Sequence, residues 1–230
     1  MKLDRKSVLK RPPAHALVAD RIRAIILEGG LPPGDQLRQD YLAKTYGVSQ
    51  ATIREAFRSL EAERLLESSP NRGMFVRQIT PEGVAEVYAL RECLETMALR
   101  RNFSNIDGKT LDKAEVLQKR SEKKYQFSFV SKENREFHAL FYGTGQPSLT
   151  EDLINNCFGG ITPSWMQFIR ECTIAANEYE AESRHDHWEL IRACQSNSLG
   201  EAEAVLSRHL RKACKVLANY LIAEAPDTKA

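Results

Sequence analysis

Polar residues that could hold a metal ion lie in the second half of the chain, within segments that are otherwise apolar. In the stretch ENREFHALF, Asn134 precedes His138 by one helical turn, so both share a face. His187 and His209 also fall on apolar helical stripes, whereas His185 is two residues out of register and should point elsewhere. A divalent ion such as Zn²⁺ or Ni²⁺ would offset the cost of burying these groups. Separately hydrogen-bonded core histidines are the alternative, and the residues alone leave the choice open.

A second set of polar residues, in the front of the chain, could contact DNA. The segment after Ser49 has a helical period, with apolar residues on one face and Gln50, Arg54 and Arg58 on the other. An amide, a hydroxyl or a guanidinium near the start of such a helix can reach base edges, and arginines farther along can reach phosphates. A basic face that is merely solvated is the alternative for any single arginine. The predicted DNA-contacting residues are Arg38, Ser49, Gln50, Thr52, Arg54, Arg58 and Arg72.

The elements that must position this second set follow from local signals in residues 15–79. HALVADRIRAIILEGG predicts a first helix, LPPGDQL a turn and RQDYLAKTY a second helix. Gly47 can end that helix, and Ser49 can cap the next one. LLESSPNRGMFVRQI predicts a two-stranded hairpin with a basic tip. Three helices and a hairpin make a winged helix-turn-helix.

The histidines belong to a region that we predict to be almost wholly helical, from residue 80 to 225. Its periodicity and turn signals indicate six helices, near 81–102, 107–127, 131–144, 147–172, 174–196 and 199–224. The predicted fold is mainly α, with a winged helix-turn-helix followed by a six-helix, all-α antiparallel bundle. We expect basic residues 1–14 and residues 226–230 to form tails.

Composition limits the possible classes of protein. Residues 1–79 carry 14 Lys and Arg against 9 Asp and Glu, and the rest of the chain carries 19 against 22, so the front is the basic part. Five cysteines without a C-x-x-C pair argue against a disulfide framework or a zinc ribbon. No apolar run reaches the roughly 18 residues of a membrane span. We therefore expect a cytoplasmic protein without membrane contact, whose basic front binds a polyanion.

The front segment resembles the DNA-binding domain of the GntR family of bacterial transcriptional regulators. The resemblance covers about residues 15–78 and lies in the P-G turn, the G-V-S before the third helix, the R-E-A within it and the N-R-G of the wing. It assigns Arg54 to the family's DNA-contacting arginine. Gln50 and Asp40 stand where the family often has arginine, which implies an unusual operator sequence.

The second half resembles the FCD effector domain of the FadR-like subfamily, and its six helices point to the VanR-like branch. Metal-binding members have D/N-x-x-x-H, a second histidine after an acid and a third one 22 positions later. The resemblance therefore implies the metal ligands Asn134, His138, His187 and His209, with asparagine in place of the more usual aspartate. It also implies that a small carboxylate effector binds there, and Arg91 matches an inward-facing arginine of the family. We predict effector contacts from Arg91 and Arg135.

These observations predict a homodimeric transcriptional regulator, a repressor, that binds double-stranded operator DNA. Metal and an organic acid would bind the helical domain and change operator affinity through linkage. One alternative is a regulator with a metal-free, acyl-CoA-type effector site. Another is a metal-dependent enzyme, although the sequence offers no general base beside the histidines. For Arg91, the alternative to effector binding is a surface ion pair with Glu95.

Overall fold

The structure, a computed structural model, describes residues 12–70, 72–124, 132–143 and 148–224. Most of the predicted N-terminal tail, all of the C-terminal tail and the wing residue Asn71 lie outside these ranges. The described chain is mainly α-helical, and the predicted combination of a winged helix-turn-helix and a six-helix bundle is confirmed.

The winged helix-turn-helix is built from three helices and three short strands. The helices are α1 (Ala14–Leu27), α2 (Gln39–Tyr46) and α3 (Gln50–Ala62), and the strands are β1 (Gln36–Leu37), β2 (Leu66–Ser69) and β3 (Gly73–Val76). Gly47 adopts φ 64°, the left-handed conformation that glycine tolerates, and ends α2 as predicted. The Ser49 hydroxyl accepts a hydrogen bond of 3.1 Å from the backbone amide of Thr52, which confirms the predicted cap of α3.

The sheet contains one strand more than the predicted hairpin. β1 pairs antiparallel with β3, which also pairs with β2, so that Leu37 lies opposite Met74. We predicted a turn through residue 37, and this was wrong for its last two residues. A two-residue strand is too short for periodicity to reveal, and it forms here because its partner and a buried site for Leu37 come from distant sequence.

Besides a 3₁₀-helix of three residues, Phe103–Asn105, six α-helices follow among the described residues. They are α4 (Pro81–Asn102), α5 (Gly108–Lys124), α6 (Lys132–Tyr142), α7 (Leu149–Glu171), α8 (Thr173–Gln195) and α9 (Leu199–Glu224). Each lies within three residues of its predicted bounds, and the predicted helical residues 125–127, 131, 144 and 147 lie outside the described ranges. Within those ranges no helix is both long and apolar enough to cross a membrane.

Buried apolar side chains form two clusters, one in each part of the fold. The front cluster lies between 18 and 76 and includes Ile22, Ile53 and Leu60, which join α1 to α3. The second lies between 79 and 220 and includes Leu99 and Leu210, because α4 and α9 pack extensively against each other. Two separate clusters are expected when two segments each bury their own apolar faces.

Helix α7 connects the two parts. The Arg170 guanidinium donates a hydrogen bond to the backbone carbonyl of Gly29 at the end of α1. Gly159 lies so close to the backbone carbonyl of Glu63, at the end of α3, that a Cβ there would collide with it. The close approach explains why glycine occupies this position. The helical bundle therefore contacts the end of α3 directly through backbone.

Candidate functional site

The predicted DNA-contacting residues lie at the start and on the exposed side of α3, on the wing and, for Arg38, just before α2. Gln50 and Arg54 are exposed on α3, opposite the buried residues Ile53, Ala56 and Phe57. Because the apolar face holds α3 in the front cluster, its polar face is presented outward. Thr52 is half-buried, and its hydroxyl lies 2.9 Å from that of Ser49, so both hydroxyls already have a partner in the free protein.

A groove of about 590 Å³ separates α3 from the wing, and its lining combines several of these residues. One side of the groove is lined by Arg38, Arg54 and Arg58, and the wing side is lined by Ser68 and Ser69. The Arg58 side chain pairs with Glu55 at 2.9 Å yet remains 73% exposed, so this ion pair is a weak constraint. Guanidinium groups around a groove of this kind suit a phosphate backbone.

Arg72 lies at the tip of the wing. It is exposed, and its guanidinium stands 5.5 Å from the centre of the Phe75 ring. Its backbone carbonyl accepts a hydrogen bond from Gln36, which ties the tip to β1. The described part of the wing is therefore held by the pairing of β3 with β1 and, at its tip, by the hydrogen bond from Gln36.

Three histidines from three different helices meet inside the bundle. His138 of α6, His187 of α8 and His209 of α9 each offer a ring nitrogen, and these nitrogens lie within 4.8 Å of one another. The ring centres of His138 lie 5.1 Å from His187 and 5.2 Å from His209. His185 is exposed, as its register predicted, and lies 3.4 Å from Glu189. The sequence therefore selected the three inward histidines correctly.

The environment keeps His138 and His187 neutral. Burial holds the pKa of His138 well below its usual value, and the neighbouring imidazoles lower it further. Burial and His209 lower the pKa of His187 in the same way. Among the described residues, both ring nitrogens of His138, Nε2 of His187 and Nδ1 of His209 are buried without a hydrogen-bond partner. Neutral imidazoles with unpartnered nitrogens could hold a divalent metal ion.

Polar side chains around the cluster orient its rings. Nδ1 of His187 lies 2.9 Å from the amide oxygen of Gln118 on α5. Nδ1 of His209 lies 3.8 Å from the Asp186 carboxylate. Burial alone would raise the pKa of Asp186, but the nearby His209 ring and the hydrogen bonds from Arg208 outweigh it and hold that pKa below its usual value.

A small cavity adjoins the cluster. It has room for about 20 Å³, enough for one water molecule or an ion. Asn134, 7% exposed, and His209 both line it, so the structure brings Asn134 to the predicted site. Four aromatic side chains complete much of the wall: Tyr88, Phe158, Trp165 and Tyr179.

Arg91 faces this cavity, and its pair with Glu95 is internal. The Arg91 Nε donates to Glu95 at 2.7 Å, and the two residues are 3% and 0% exposed. The alternative of a surface ion pair is therefore wrong about the location and right about the partner. The guanidinium also lies 3.8 Å from the centre of the Phe158 ring. A buried, paired and stacked guanidinium is held in one orientation.

Arg135 borders two spaces at once. It lines the small cavity, and it also lines a cleft that contains Arg23 and Glu63 of the front part. Burial lowers its pKa, while Glu63 raises it and Arg23 lowers it further. Arg135, the residue next to Asn134, thus interacts electrostatically with charged residues of the front part of the molecule.

Several residues of the site were not predicted from the sequence. Gln118 is only 2% exposed, and its position among the apolar residues of α5 was the available signal. Of the aromatic residues in the cavity wall, Tyr88, Phe158 and Tyr179 could not be distinguished from ordinary core residues, because spacing does not show which apolar residues border a space.

An exposed polar helix face beside a wing, joined to a helical domain with an internal cavity, is the arrangement of a DNA-binding transcription regulator. The sequence model of the "Bacterial regulatory proteins, gntR family" matches residues 15–76, and that of the FCD domain matches residues 86–212. The chain belongs to the GntR family of transcription regulators and carries an FCD domain. The predicted FadR-like and VanR-like assignment is consistent with this architecture.

Individual relatives agree with this assignment. The chain is 30% identical over 135 residues to the uncharacterized HTH-type transcriptional regulator YdhC of Bacillus subtilis, covering 57% of this chain and 60% of that protein. It is 27% identical over 165 residues to the gluconate operon transcriptional repressor of Bacillus licheniformis, covering 70% of this chain and 65% of the repressor. The matches thus span less than two thirds of either relative.

A solved structure shares the fold. E. coli McbR/YncC superposes with a TM-score of 0.71 at 19% identity, covering 91% of this chain and 99% of that chain. These relatives are named as transcriptional regulators, in agreement with the class predicted from the sequence.

Proposed function

We propose that this protein is a homodimeric repressor whose helical domain binds a divalent metal and a small organic acid. Residues 15–79 would read operator DNA through Arg38, Ser49, Gln50, Thr52, Arg54, Arg58 and Arg72. Residues 80–225 would bind the ligands and form the dimer. Repression is supported by the relative that is named as the gluconate operon transcriptional repressor. A dimer is supported by the two half-sites that helix-turn-helix regulators usually read.

The observation that supports the metal most strongly is the group of unpartnered imidazole nitrogens of His138, His187 and His209 within 4.8 Å. Leaving such groups unpaired in a core costs about 1–3 kcal/mol each, and an ion would remove that cost. Zn²⁺ and Ni²⁺ are the best candidates, because neutral imidazoles suit both. Asn134 would add an uncharged oxygen ligand from the cavity wall.

The effector is proposed to be a small carboxylate. Arg91 presents a fixed cation to the cavity, and Arg135 adds a second. A metal ion with an open position would contribute positive charge to the same space, so an anion would be favoured there. A carboxylate could meet the guanidinium in the bidentate geometry that arginine prefers.

The proposed effect on DNA binding depends on α7 and Arg135. One face of α7 lines the cavity with Phe158, and its neighbour Gly159 packs against Glu63 of the DNA-reading part. Because the cavity has room for only about 20 Å³, an organic acid would have to displace its walls. Moving α7 would therefore move the contact with the end of α3, which links the two sites thermodynamically.

The metal-free, acyl-CoA-type alternative receives less support. A cavity of about 20 Å³ cannot accept an acyl chain without large rearrangement. A wider groove of about 960 Å³ lies between α5 and α6, but no histidine is among the described residues that line it. If the effector bound in that groove, it would not contact the three histidines. Their close approach inside the bundle would then remain unexplained.

A thermal-shift screen of small mono-, di- and tricarboxylic acids on Zn²⁺-loaded protein tests both ligands. A ligand at 100 times its Kd stabilises the folded state by about 2.7 kcal/mol, which raises the melting temperature by about 5–11 °C in a chain of this size. We expect Zn²⁺ alone to produce one shift and an acid to add a second that Arg91→Met removes. If Zn²⁺ produces no shift, the metal is excluded, and if no acid adds to it, the effector class is wrong.

Asn134→Asp is expected to tighten Zn²⁺ binding by about tenfold, or 1.4 kcal/mol. The substitution adds a negative charge to a ligand oxygen beside a cation without changing its size. Competition with a chromophoric chelator measures the change in Kd. Asn177→Asp adds the same charge at an exposed position of α8 and should leave Kd unchanged. Equal affinity of Asn134→Asp and the wild-type protein would show that the amide is not a ligand.

A further inference from the structure

Each imidazole of the cluster turns one particular nitrogen toward an oxygen atom. For all three rings this nitrogen is Nδ1, although the oxygens come from different helices and residue types. The pairs are His138 Nδ1 with Glu95 Oε2 at 3.6 Å, His187 Nδ1 with Gln118 Oε1 at 2.9 Å, and His209 Nδ1 with Asp186 Oδ2 at 3.8 Å. An acceptor at Nδ1 favours the tautomer with its proton there, which leaves the lone pair on Nε2.

Glu95 differs from the other two acceptors because its second partner, Arg91, lines the small cavity. Its Oε1 accepts a 2.7 Å hydrogen bond from Arg91, while its Oε2 is buried without a hydrogen bond from the described residues. His138 Nδ1 is likewise buried and unpartnered at 3.6 Å from that oxygen. The hydroxyl of Tyr142 lies near the same carboxylate, which contributes after burial to raising the pKa of that tyrosine.

The distance of 3.6 Å is outside hydrogen-bond range, yet electrostatics still selects the tautomer. A lone pair on Nδ1 would face the negative Oε2 and be repelled, whereas an N–H there is attracted. The carboxylate is 0% exposed, so solvent weakens this preference little. Histidines that bind metals commonly donate their other N–H to such a carboxylate.

We propose that Glu95 is a positioning residue that fixes His138 with its proton on Nδ1 and presents Nε2 to the metal. The inference rests on the proposed metal site and extends it to a residue outside the ligand set. Since the same carboxylate holds Arg91, it also couples the orientation of a metal ligand to that of the cation facing the effector. Metal and effector sites would then share one buried chain of contacts: Arg91, Glu95 and His138.

Glu95→Gln tests this assignment with almost no change of shape. The Arg91 guanidinium can only donate, so the amide oxygen must face it and the amide NH₂ must face His138. The amide N–H would favour a lone pair on Nδ1 of His138. The proton of that ring would then be on Nε2, where it would block metal binding. We expect Zn²⁺ affinity, measured by chelator competition, to fall by about 10–100-fold.

Glu180→Gln is the matched control. Glu180 is also a buried carboxylate, 5% exposed, that pairs with an arginine one turn away, Arg184, on its own helix. A loss of Zn²⁺ affinity in both variants would indicate a general effect of removing a buried charge and would overturn the proposal. Loss in Glu95→Gln alone supports it. If the wild-type protein binds no Zn²⁺, the proposed metal site fails as well, whereas unchanged affinity in Glu95→Gln overturns only the role of Glu95.

A second measurement does not depend on metal or on the variant's stability. The ¹⁵N chemical shifts of the His138 ring in metal-free protein report which nitrogen carries the proton. We expect the proton on Nδ1 in the wild-type protein and on Nε2 in Glu95→Gln. A wild-type protein with the proton on Nε2 would overturn the proposal even if the variant fails to fold.

Discussion

Replacing His138 by leucine is expected to lower the Zn²⁺ affinity of the protein by at least about 100-fold. Changes in the groups around metal ligands commonly cost 10–100-fold, and removing one of three imidazole ligands should cost more. The Zn²⁺-induced rise in melting temperature should disappear with it, as should the effect of the organic acid on DNA binding. Binding to operator DNA without effector should persist, because α3 and the wing are untouched.

The same substitution should have little effect on the metal-free protein. His138 buries both ring nitrogens without a hydrogen bond from the described residues, so leucine removes an unfavourable burial while roughly filling the space. We expect the free energy of unfolding of metal-free protein to stay within about 1 kcal/mol of wild type or to rise. If His138 served only packing, the substitution would lower the free energy of unfolding of the metal-free protein. Adding Zn²⁺ would then leave the difference from wild type unchanged.

His185→Leu provides the control for this experiment. His185 is two residues from His187 on α8 but is exposed and pairs with Glu189, so its loss should leave Zn²⁺ affinity unchanged. Chelator competition and thermal unfolding with and without Zn²⁺ measure both quantities on each variant. Wild-type affinity in His138→Leu would contradict the metal site and favour separately packed histidines.

Arg54→Ala is expected to weaken operator binding by roughly 5–150-fold, which corresponds to about 1–3 kcal/mol for a bidentate contact with a base. Arg54 projects from the exposed face of α3 into the groove beside the wing. The loss should be larger on operator DNA than on random DNA, because a base contact carries sequence information. Gel-shift titrations on an operator selected in vitro by the wild-type protein measure both affinities.

Two further variants separate base reading from charge. Arg192→Ala removes the same charge from the exposed surface of α8 and should leave both affinities unchanged. Arg58→Ala should weaken binding to all sequences similarly and reduce the salt dependence by about one phosphate contact. Unchanged affinity and selectivity in Arg54→Ala would mean that α3 reads the operator through other residues.

The proposals about ligands and DNA meet at the contact between α7 and the front of the molecule. Gly159 and Arg170 place the helical bundle against α3 and α1, and Arg135 lies between the effector cavity and Glu63. If a ligand binds one of two positions of α7 more tightly, it changes the affinity of the protein for operator DNA. Operator DNA then changes the affinity of the protein for that ligand by the same factor. His138→Leu therefore removes a residue of the proposed metal site, and Arg54→Ala removes a proposed DNA contact. These are the two sites that the linkage would couple.

Local chemistry in the sequence determined much of this protein. Apolar residues at helical spacing predicted the helices and their inward faces, and Gly47 and Ser49 predicted where one helix ends and the next begins. The same periodicity put His138 inward and His185 outward. These features depend on neighbours within about one helical turn, which the sequence displays directly.

Tertiary structure alone decided how those faces meet. His138, His187 and His209 are far apart in the chain, and only the packing of α6, α8 and α9 brings their nitrogens within 4.8 Å. The spacing of Arg91 and Glu95 predicted a pair but not its burial, because periodicity gives the direction of a side chain and not its depth. The acceptors at each Nδ1 depend on the rotation of neighbouring helices, which no local pattern records. The sequence by itself thus determined the elements and their polarity, and tertiary packing determined which polar groups share one small, dry space.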